Sequence, residues 1–287
     1  MALSRPAIKR GLAVAGLGLL SAAGAGAQGL TPAQGLLNDP FVFTGGLFLV
    51  GNDISASLNG QSSRNPSVDF NDELGRASDA SRGRIDASWR FAPRHLARLV
   101  YFNYNASQSR TISRDITYGD TTFHAGGNLT SNTKYSVYEL DYEYAFMKQP
   151  SYELAGTFGV HYTDLSLKLS GTGTVTRPDG TTSASGSVTK DSNLPMPLPV
   201  IGIRGGWAVS PQVYLDGRLQ YFRLSVDGYD GNWSNAHVGA TWMFSRHWGV
   251  GLGYDWFNTH VDVTRSNFNG NLKFGYSGLQ ASVTGSF

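Results

Sequence analysis

Apolar and polar residues alternate along most of the chain with a period of two. The clearest run lies between residues 138 and 146, where tyrosine, leucine and phenylalanine occupy the even positions and Glu139, Asp141 and Glu143 stand between them. A period of two predicts a β-strand with one apolar and one polar face. A soluble sheet would not expose so apolar a face to water, so this strand needs lipid on one side and polar contents on the other.

The last residues of the chain repeat this pattern. Leu279, Val283 and Phe287 share one face, while glutamine, serine and threonine alternate with them on the other. Ten such segments follow residue 41, which predicts an all-β, transmembrane, antiparallel up-and-down barrel of ten strands. Eight or twelve strands are alternatives, because the first segment alternates less cleanly and residues 170–192 could form an additional hairpin.

Short and long connections alternate between the predicted strands. Tight turns lie near residues 93, 149, 211 and 246. Longer or more polar connections span residues 57–82, 113–133, 170–198, 228–232 and 265–271. Short periplasmic turns that alternate with longer outer loops are typical of outer-membrane barrels, so both termini of the barrel chain are predicted to lie in the periplasm.

Aromatic residues gather beside the tight turns and at the C-terminus. In a membrane barrel these positions meet the periplasmic interface, where aromatic side chains are enriched. The predicted aromatic girdle consists of Trp89, Phe91, Tyr144, Phe146, Trp207, Trp242, Phe244, Trp248 and Phe287.

The N-terminus has the composition of a secretory signal. Arg5, Lys9 and Arg10 precede an apolar run over residues 11–20, and Ala25-Gly-Ala27 supplies a small-residue cleavage site. The apolar run is too short to span a bilayer as a helix. The predicted divisions are a cleaved signal peptide over 1–27, a periplasmic lead-in over 28–40 and the barrel over 41–287.

Charge and cysteine content narrow the function classes. Residues 1–27 hold three basic and no acidic residues, so the remainder has 20 basic and 21 acidic residues, a net charge of −1. Nothing in this balance predicts a nucleic-acid partner. The sequence has no cysteine, which excludes a lipid-modified N-terminus, disulfides and thiolate metal sites. No cofactor or metal is predicted.

Residues 41–287 resemble the small outer-membrane β-barrel proteins of Gram-negative bacteria. Three segments are similar to those of a poorly characterised proteobacterial barrel group: Val68–Gly75, Trp89–His95 and the C-terminal strand. The resemblance implies a fold and a location in the outer membrane, and it carries no established activity. The final strand also resembles the signal by which the barrel assembly machinery recognises its substrates. We therefore expect outer-membrane lipid, lipopolysaccharide and, through the strand ending at Phe287, that machinery as partners.

The inward-facing charges are predicted to meet inside the barrel. A barrel this narrow is filled by side chains, whereas water-filled channels need about 16 strands. Charges confined there must pair, because an unpaired charge away from water is costly. We predict a salt-bridged plug; a narrow path for ions or small solutes is the alternative. The predicted network consists of Asp86, Arg90, Arg98, Glu139, Asp141, Glu143, Glu153, His161, Arg204, Asp216, Arg218 and Asp255.

An enzyme requires a more specific arrangement of residues. An outer-leaflet lipid hydrolase would need serine and histidine side by side on the outward face. His260 and Ser277 share that face, but pairing across the last loop places His260 beside Lys273. Ser277 would then lie about four residues away, about 13 Å at the usual strand rise.

The ten-stranded omptin proteases offer a second enzymatic alternative. Members of that family carry an Asp-x-Asp and an Asp-x-His pair on the outer rim. This sequence has only His260-x-Asp262, in reverse order, and no Asp-x-Asp. Two carboxylates are needed to position and activate a water molecule, so the resemblance to the omptin proteases is partial. The other histidines (His95, His124, His237 and His247) are interpreted as surface or rim residues, and the acidic run Asp69–Glu73 as a solvated loop. The sequence thus favours a non-enzymatic outer-membrane barrel with loops exposed for surface interaction.

Overall fold

The computed structural model is dominated by one antiparallel sheet. It describes residues 29–59, 68–69, 79–118, 121–177, 179–226, 229–265 and 268–287. The predicted signal peptide lies outside these residues, as does most of the acidic run near residue 70, so both interpretations stay predictions. The one α-helix of the described residues has seven residues, and it is far too short to cross a membrane.

Ten long strands build the barrel. They are β1 (Phe41–Asn59), β3 (Asp79–Ala92), β4 (His95–Thr111), β7 (Asn128–Lys148), β8 (Tyr152–Thr176), β9 (Thr182–Ala208), β10 (Val213–Val226), β11 (Tyr229–Met243), β12 (Trp248–Arg265) and β13 (Phe268–Ser286). Three short strands lie in the longer connections: β2 (Val68–Asp69), β5 (Ile116–Tyr118) and β6 (Thr121–Phe123). Helix α1 (Pro32–Asn38) precedes the first strand.

Each long strand pairs antiparallel with the next long strand, and the last returns to the first. β1 and β13 pair from Val42 opposite Ser286 to Asn59 opposite Asn269. At the closing seam the backbone N–H of Phe41 and the carbonyl of Phe287 hydrogen bond at 2.9 Å, and the reverse bond has the same length. The barrel is therefore closed with ten strands, and the predicted fold is confirmed.

Burial is inverted relative to a soluble protein. On the outward face Leu47 is 71% exposed and Leu252 is 69% exposed, whereas the inward Asp255 is 0% exposed. Apolar side chains outside and charged ones inside are the distribution that a bilayer requires of a barrel. The nine predicted girdle residues all point outward and are exposed. Their contact with the lipid interface stays a prediction.

Several strands continue beyond the apolar band. Tyr138 lies between Tyr101 and Tyr162 on the outer surface, with ring centroids 5.0 and 6.1 Å apart and the rings tilted. From Tyr138, β7 runs on to Asn128, about 30 Å at the usual strand rise. The upper parts of β7, β8 and β9 and the segment between β4 and β7 form what we call the loop head.

The loop head has an apolar core of its own. Its buried side chains are 0–2% exposed and consist of Ile112, Ile116, Phe123, Leu129, Leu169 and Val175. Phe123 lies against Gly171, where a Cβ would overlap its ring, and Val175 lies against Gly186 in the same manner. The outer connections in this part of the chain are thus packed structure, which holds polar side chains on their surface in fixed positions.

The structure differs from the sequence interpretation at two places. The lead-in over 28–40 was expected to have no regular element, yet it contains α1, which Thr31 caps through a capping box with Gln34. Strand β9 was expected to begin after the proline run 195–199, yet it begins at Thr182. The prolines fall where the pairing with β8 shifts register and before the pairing with β10 begins at Ile201. Proline is tolerated at such irregular or edge positions.

Candidate functional site

Two buried glutamates organise the lower lumen. Glu143 accepts a hydrogen bond from Arg98 Nε at 2.6 Å and another from Arg204 Nε. Arg204 also reaches Glu153, which Arg90 Nη2 contacts at 2.9 and 3.0 Å. Both glutamates are 1% exposed. Because each carboxylate binds two guanidinium groups, the charges cross-link strands that are not neighbours in the sheet.

A second cluster lies on the opposite wall. Arg84 Nη1 donates to Asp255 Oδ1 at 2.9 Å. His237 lies between Asp216 and Asp255, with ring nitrogens 3.2 and 3.1 Å from their carboxylates. The interpretation of His237 as a rim residue without a matching acid is therefore wrong. Its inward direction follows from its neighbours, since Ala236 and the other even positions of β11 face outward.

The upper part of the lumen holds two acidic residues and one histidine on two paired strands. Glu139 of β7 lies opposite His161 of β8, and Asp141 follows Glu139 on the same inward face. From β10, Gln220 Nε2 donates to Glu139 Oε1 and to Asp141 Oδ2, both at 2.8 Å. Arg218 Nη1 lies 3.3 Å from Glu139 Oε1.

All the predicted network residues face the lumen, and the structure brings them together as ion pairs. These are Asp86, Arg90, Arg98, Glu139, Asp141, Glu143, Glu153, His161, Arg204, Asp216, Arg218 and Asp255. The sequence interpretation missed Arg84, Lys148, Tyr214, His237 and Gln220 as members or neighbours of the network. The alternation of β3 was a usable signal for Arg84, because Arg84 shares the inward face of Asp86. Whether the network serves as a plug or a path stays a prediction.

Helix α1 covers the mouth of the barrel on the side of the tight turns. Leu37, fully buried, packs with Ala33 against Ala208 and Tyr214. The backbone N–H of Ala33 donates to the carbonyl of Pro211 at 3.0 Å. This apolar contact seats the helix on the turn that joins β9 to β10.

The end of α1 is tied to the barrel by charge. Asp39 accepts two hydrogen bonds from Arg246, each 2.7 Å, and a third from the Ser286 hydroxyl at 2.7 Å. The contact with Asp39 raises the pKa of Arg246. Lys148 Nζ donates to the Leu37 carbonyl and lies 2.9 Å from Glu153, which joins the helix to the lumen network.

A polar cavity of about 110 Å³ lies among the network residues and reaches α1. Leu36 of the helix, Tyr214, Asp216 and Arg204 contribute to its wall. This space is large enough for a few water molecules. In the described residues, ion-paired side chains line the cavity and α1 borders it on one side.

The loop head carries a relay of polar side chains. Asp115 Oδ2 lies 2.8 Å from His124 Nδ1, and the other ring nitrogen, Nε2, lies 2.9 Å from Thr176 Oγ1. The backbone N–H of Ala125 donates to Asp115 Oδ1 at 2.8 Å. The Ala125 hydrogen bond, followed by that of the His124 ring, lowers the pKa of Asp115 below its usual range. The interpretation of His124 as a plain loop residue missed this arrangement.

The relay joins three separate parts of the loop head. Asp115 precedes β5, His124 follows β6 and Thr176 ends β8. β6 and β8 pair with Thr122 opposite Thr176, and the His124 N–H donates to the Thr174 carbonyl at 3.1 Å. The side chains of Asp115 and His124 are 53% and 34% exposed. Solutes therefore have access to a site whose backbone is held by hydrogen bonds.

The predicted register of the last hairpin is confirmed. His260 lies opposite Lys273, and Ser277 lies opposite Trp256, so the structure does not bring His260 and Ser277 together as a dyad. His260 Nε2 instead lies 2.6 Å from Asp262 Oδ2. Asp230 of β11 is the cross-strand neighbour of Asp262, and it pairs with Arg223 at 3.6 Å.

Comparison with known proteins places the fold among outer-membrane barrels. The sequence matches no protein-family profile and no curated protein. The outer membrane protease OmpT of Escherichia coli has a similar structure, with a TM-score of 0.54 and 13% identity, over 87% of this chain and 97% of that one. The toluene transporter TodX of Pseudomonas putida has a TM-score of 0.38 and 8% identity, over 90% of this chain and 93% of that one. The protein is thus an outer-membrane β-barrel, while its membership of the poorly characterised barrel group stays a prediction.

The prediction that the protein is not an enzyme is wrong. It rested on the missing serine–histidine dyad and on the incomplete omptin pattern. The structural likeness to OmpT shows that a barrel of this architecture carries enzymatic activity, so neither fold nor location excludes it. The pattern of single strands also could not reveal a group of side chains assembled from separate loops.

Proposed function

We propose that the protein is an outer-membrane hydrolase whose reaction takes place on the loop head at Thr176. The observation that carries this proposal is the unbroken relay Asp115–His124–Thr176, with contacts of 2.8 and 2.9 Å. A hydroxyl is a weak nucleophile until an adjacent base accepts its proton. A carboxylate on the far side of that base orients the ring and stabilises its protonated form.

The proposed reaction uses the tautomer of His124 that carries its proton on Nδ1. The carboxylate of Asp115 accepts the Nδ1 proton of His124, which leaves Nε2 as an acceptor for the hydroxyl of Thr176. As Thr176 Oγ1 attacks an acyl carbonyl, its proton passes to Nε2. The ring then delivers that proton to the leaving group when the acyl bond breaks. Water hydrolyses the threonyl ester in the second half, with His124 again accepting and returning the proton.

The surroundings favour a substrate that approaches from outside the cell. The relay lies above the apolar band, and its histidine and carboxylate are partly exposed. The apolar core beneath it, which includes Phe123 and Val175, fixes the strands that carry the three side chains. The proposed substrates are therefore extracellular esters or amides with an accessible acyl carbonyl. The protease activity of OmpT supports the proposal only by showing that such a barrel accommodates an enzyme.

The test uses the full-length barrel refolded in detergent and a panel of chromogenic acyl esters and fluorogenic peptides. Thr176→Val keeps the shape of the side chain but removes the hydroxyl. We expect this variant and His124→Gln each to lower kcat/KM at least 100-fold. Thr176→Ser should retain activity. His260→Gln, which alters a histidine outside the relay, should leave the rate unchanged.

A covalent probe locates the nucleophile independently of turnover. A fluorophosphonate should add its mass to the peptide that contains Thr176, and Asp115→Asn should slow this labelling. The proposal is wrong if no acyl substrate is hydrolysed and Thr176 stays unlabelled, or if Thr176→Val retains the full rate.

A further inference from the structure

The upper lumen brings three potential metal ligands together. Glu139 and Asp141 lie two residues apart on β7, and His161 lies opposite Glu139 on β8. One ligand atom from each lies within 4.8 Å of the others. All three side chains are buried, between 1% and 3% exposed. Because adjacent paired strands carry them, the barrel backbone itself sets their spacing.

Three buried polar atoms of this group have no partner in good hydrogen-bond geometry among the described residues. These atoms are Asp141 Oδ1 and both ring nitrogens of His161. Glu139 Oε2 lies 3.3 Å from His161 Nε2, but the contact lacks the geometry of a hydrogen bond. Buried polar atoms are rarely left without a partner. Their convergence points to a ligand that accepts electron pairs from several directions.

The other carboxylate oxygens are already engaged. Gln220 donates to Glu139 Oε1 and Asp141 Oδ2, and Arg218 lies beside the former. Protein metal sites use such outer hydrogen bonds to orient the ligands and leave the remaining lone pairs for the ion. The arrangement around Glu139 and Asp141 has this division of roles.

Charge balance favours a cation at the same place. Glu139 and Asp141 together bring two negative charges, and Arg218 is the guanidinium in reach of both, at 3.3 and 3.8 Å. A buried carboxylate without compensation would be costly. A proton or a metal ion can compensate it, and the free nitrogen of His161 favours the metal ion.

We propose that Glu139, Asp141 and His161 bind one divalent transition-metal ion in the upper lumen. Two carboxylate oxygens and an imidazole nitrogen suit zinc, manganese or iron better than calcium or magnesium, which prefer oxygen alone. Bonds of about 2.0–2.2 Å place tetrahedral ligand atoms about 3.4 Å apart, so side chains whose ligand atoms lie within 4.8 Å of one another need to move by up to about 1 Å. The ion cross-links β7 and β8 inside the barrel.

Gly159 provides the room that this site needs. It lies opposite Asp141, and a Cβ on it would overlap Asp141 Oδ1. Any larger residue at this position would displace the oxygen that is directed to the ion. Gly159→Ala is therefore expected to weaken metal binding without removing a ligand.

The test measures zinc binding to the refolded full-length barrel after chelator treatment. Isothermal titration should give one zinc per barrel. Asp141→Asn and His161→Gln should weaken binding at least 100-fold, and Gln220→Leu, which removes both outer hydrogen bonds from this side chain, by about 10–100-fold. His124→Gln and His260→Gln are matched controls that keep the lumen intact, and both should bind as the wild type does. Each variant is first checked for heat-modifiable mobility, which reports a folded barrel.

Cobalt provides a second measurement that needs no variant. Cobalt bound by oxygen and imidazole nitrogen should give visible d–d absorption that saturates at one equivalent, and zinc should displace it. If the wild type neither binds zinc stoichiometrically nor shows this spectrum, the site holds a proton or water and the proposal is wrong. It is equally wrong if Asp141→Asn and His161→Gln bind zinc as tightly as the wild type. The proposal does not depend on hydrolysis at Thr176.

Discussion

Gly159 of β8 lies directly opposite Asp141 of β7, and the Asp141 carboxylate occupies the space above it. Because glycine has no side chain, the Asp141 carboxylate fills the space at this cross-strand position inside the barrel. The Asp141 carboxylate therefore lies over the neighbouring strand, at a position that glycine leaves open.

Gly159→Ala is expected to destabilise the barrel by about 1–3 kcal/mol, because the added methyl group forces the buried carboxylate out of its place. Gly156→Ala on the same strand is the matched control. Nothing lies within 4 Å of a Cβ at that position, so its stability should change little. Urea unfolding followed by tryptophan fluorescence measures both. Equal stability of the two variants would contradict the close fit at Gly159.

Glu143→Ala should be among the most destabilising changes in the lumen. It leaves Arg98 and Arg204 with an uncompensated buried charge, and removing one partner of such a pair costs about 3–5 kcal/mol. Asp230→Ala breaks an ion pair whose side chains are 63% and 45% exposed, and it should change stability by less than about 1 kcal/mol. Similar effects in unfolding experiments on the two variants would show that the lumen charges are solvated.

Asp39→Asn should loosen α1. The substitution removes the charge that holds Arg246, and hydrogen bonds to charged groups contribute about 1.5–3 kcal/mol. We expect chymotrypsin to cleave beside Leu37 at least about 10-fold faster, since cleavage follows the population of the open form. Asp179→Asn, on an exposed loop, serves as the control. Unchanged cleavage in Asp39→Asn would mean that the apolar contact alone holds the helix.

The native barrel should not conduct ions steadily in a planar bilayer. The ion pairs of Glu143 and Glu153 crowd the lower lumen, and α1 covers its mouth, so the described lumen offers no wide aqueous path. Steady openings that change with Arg204→Ala or Asp141→Asn would support the narrow-channel alternative instead. Arg223→Ala, on the outer surface, is the control that should leave the conductance unchanged.

Asp115 should respond to acid in a defined direction. Its pKa in the folded protein is lowered from 3.8, so its contacts stabilise the loop head at higher pH and are lost as pH falls through the lowered pKa. The NMR shift of the Ala125 amide should therefore titrate with a midpoint below 3.8. Asp115→Asn should abolish that titration.

The control for this titration is the Thr181 amide, which donates to Asp179 at 2.9 Å. The pKa of Asp179 is lowered as well, and its titration should persist in Asp115→Asn. A midpoint for Ala125 above 3.8 would contradict the contacts described at Asp115.

Local hairpins were predictable to the level of single residue pairs. The alternation around Trp256 and the length of the last loop placed His260 opposite Lys273, as the structure has it. Side-chain direction alternates for steric reasons along each strand, and a short connection limits the register. The same reasoning placed every predicted network residue inside the barrel.

Contacts across the lumen or between loops were not predictable in this way. Arg90 and Glu153 lie on strands separated by two others, and their meeting depends on the circumference, tilt and stagger of the closed barrel. His124 and Thr176 come from connections that have no periodic pattern. Helix α1 has only seven residues, which carry too weak a signal for a helix because the stability of so short a helix comes from packing on the barrel.

The sequence by itself determined the strand count, the inward and outward faces and the outer-membrane location, because lipid outside and polar contents inside impose a period of two on every strand. The tertiary structure alone decided which charges pair, how α1 covers the mouth on the side of the tight turns, and which polar groups converge at His124 and at His161. Those contacts join residues far apart in the chain. They arise only when closure of the barrel fixes the distances between its walls.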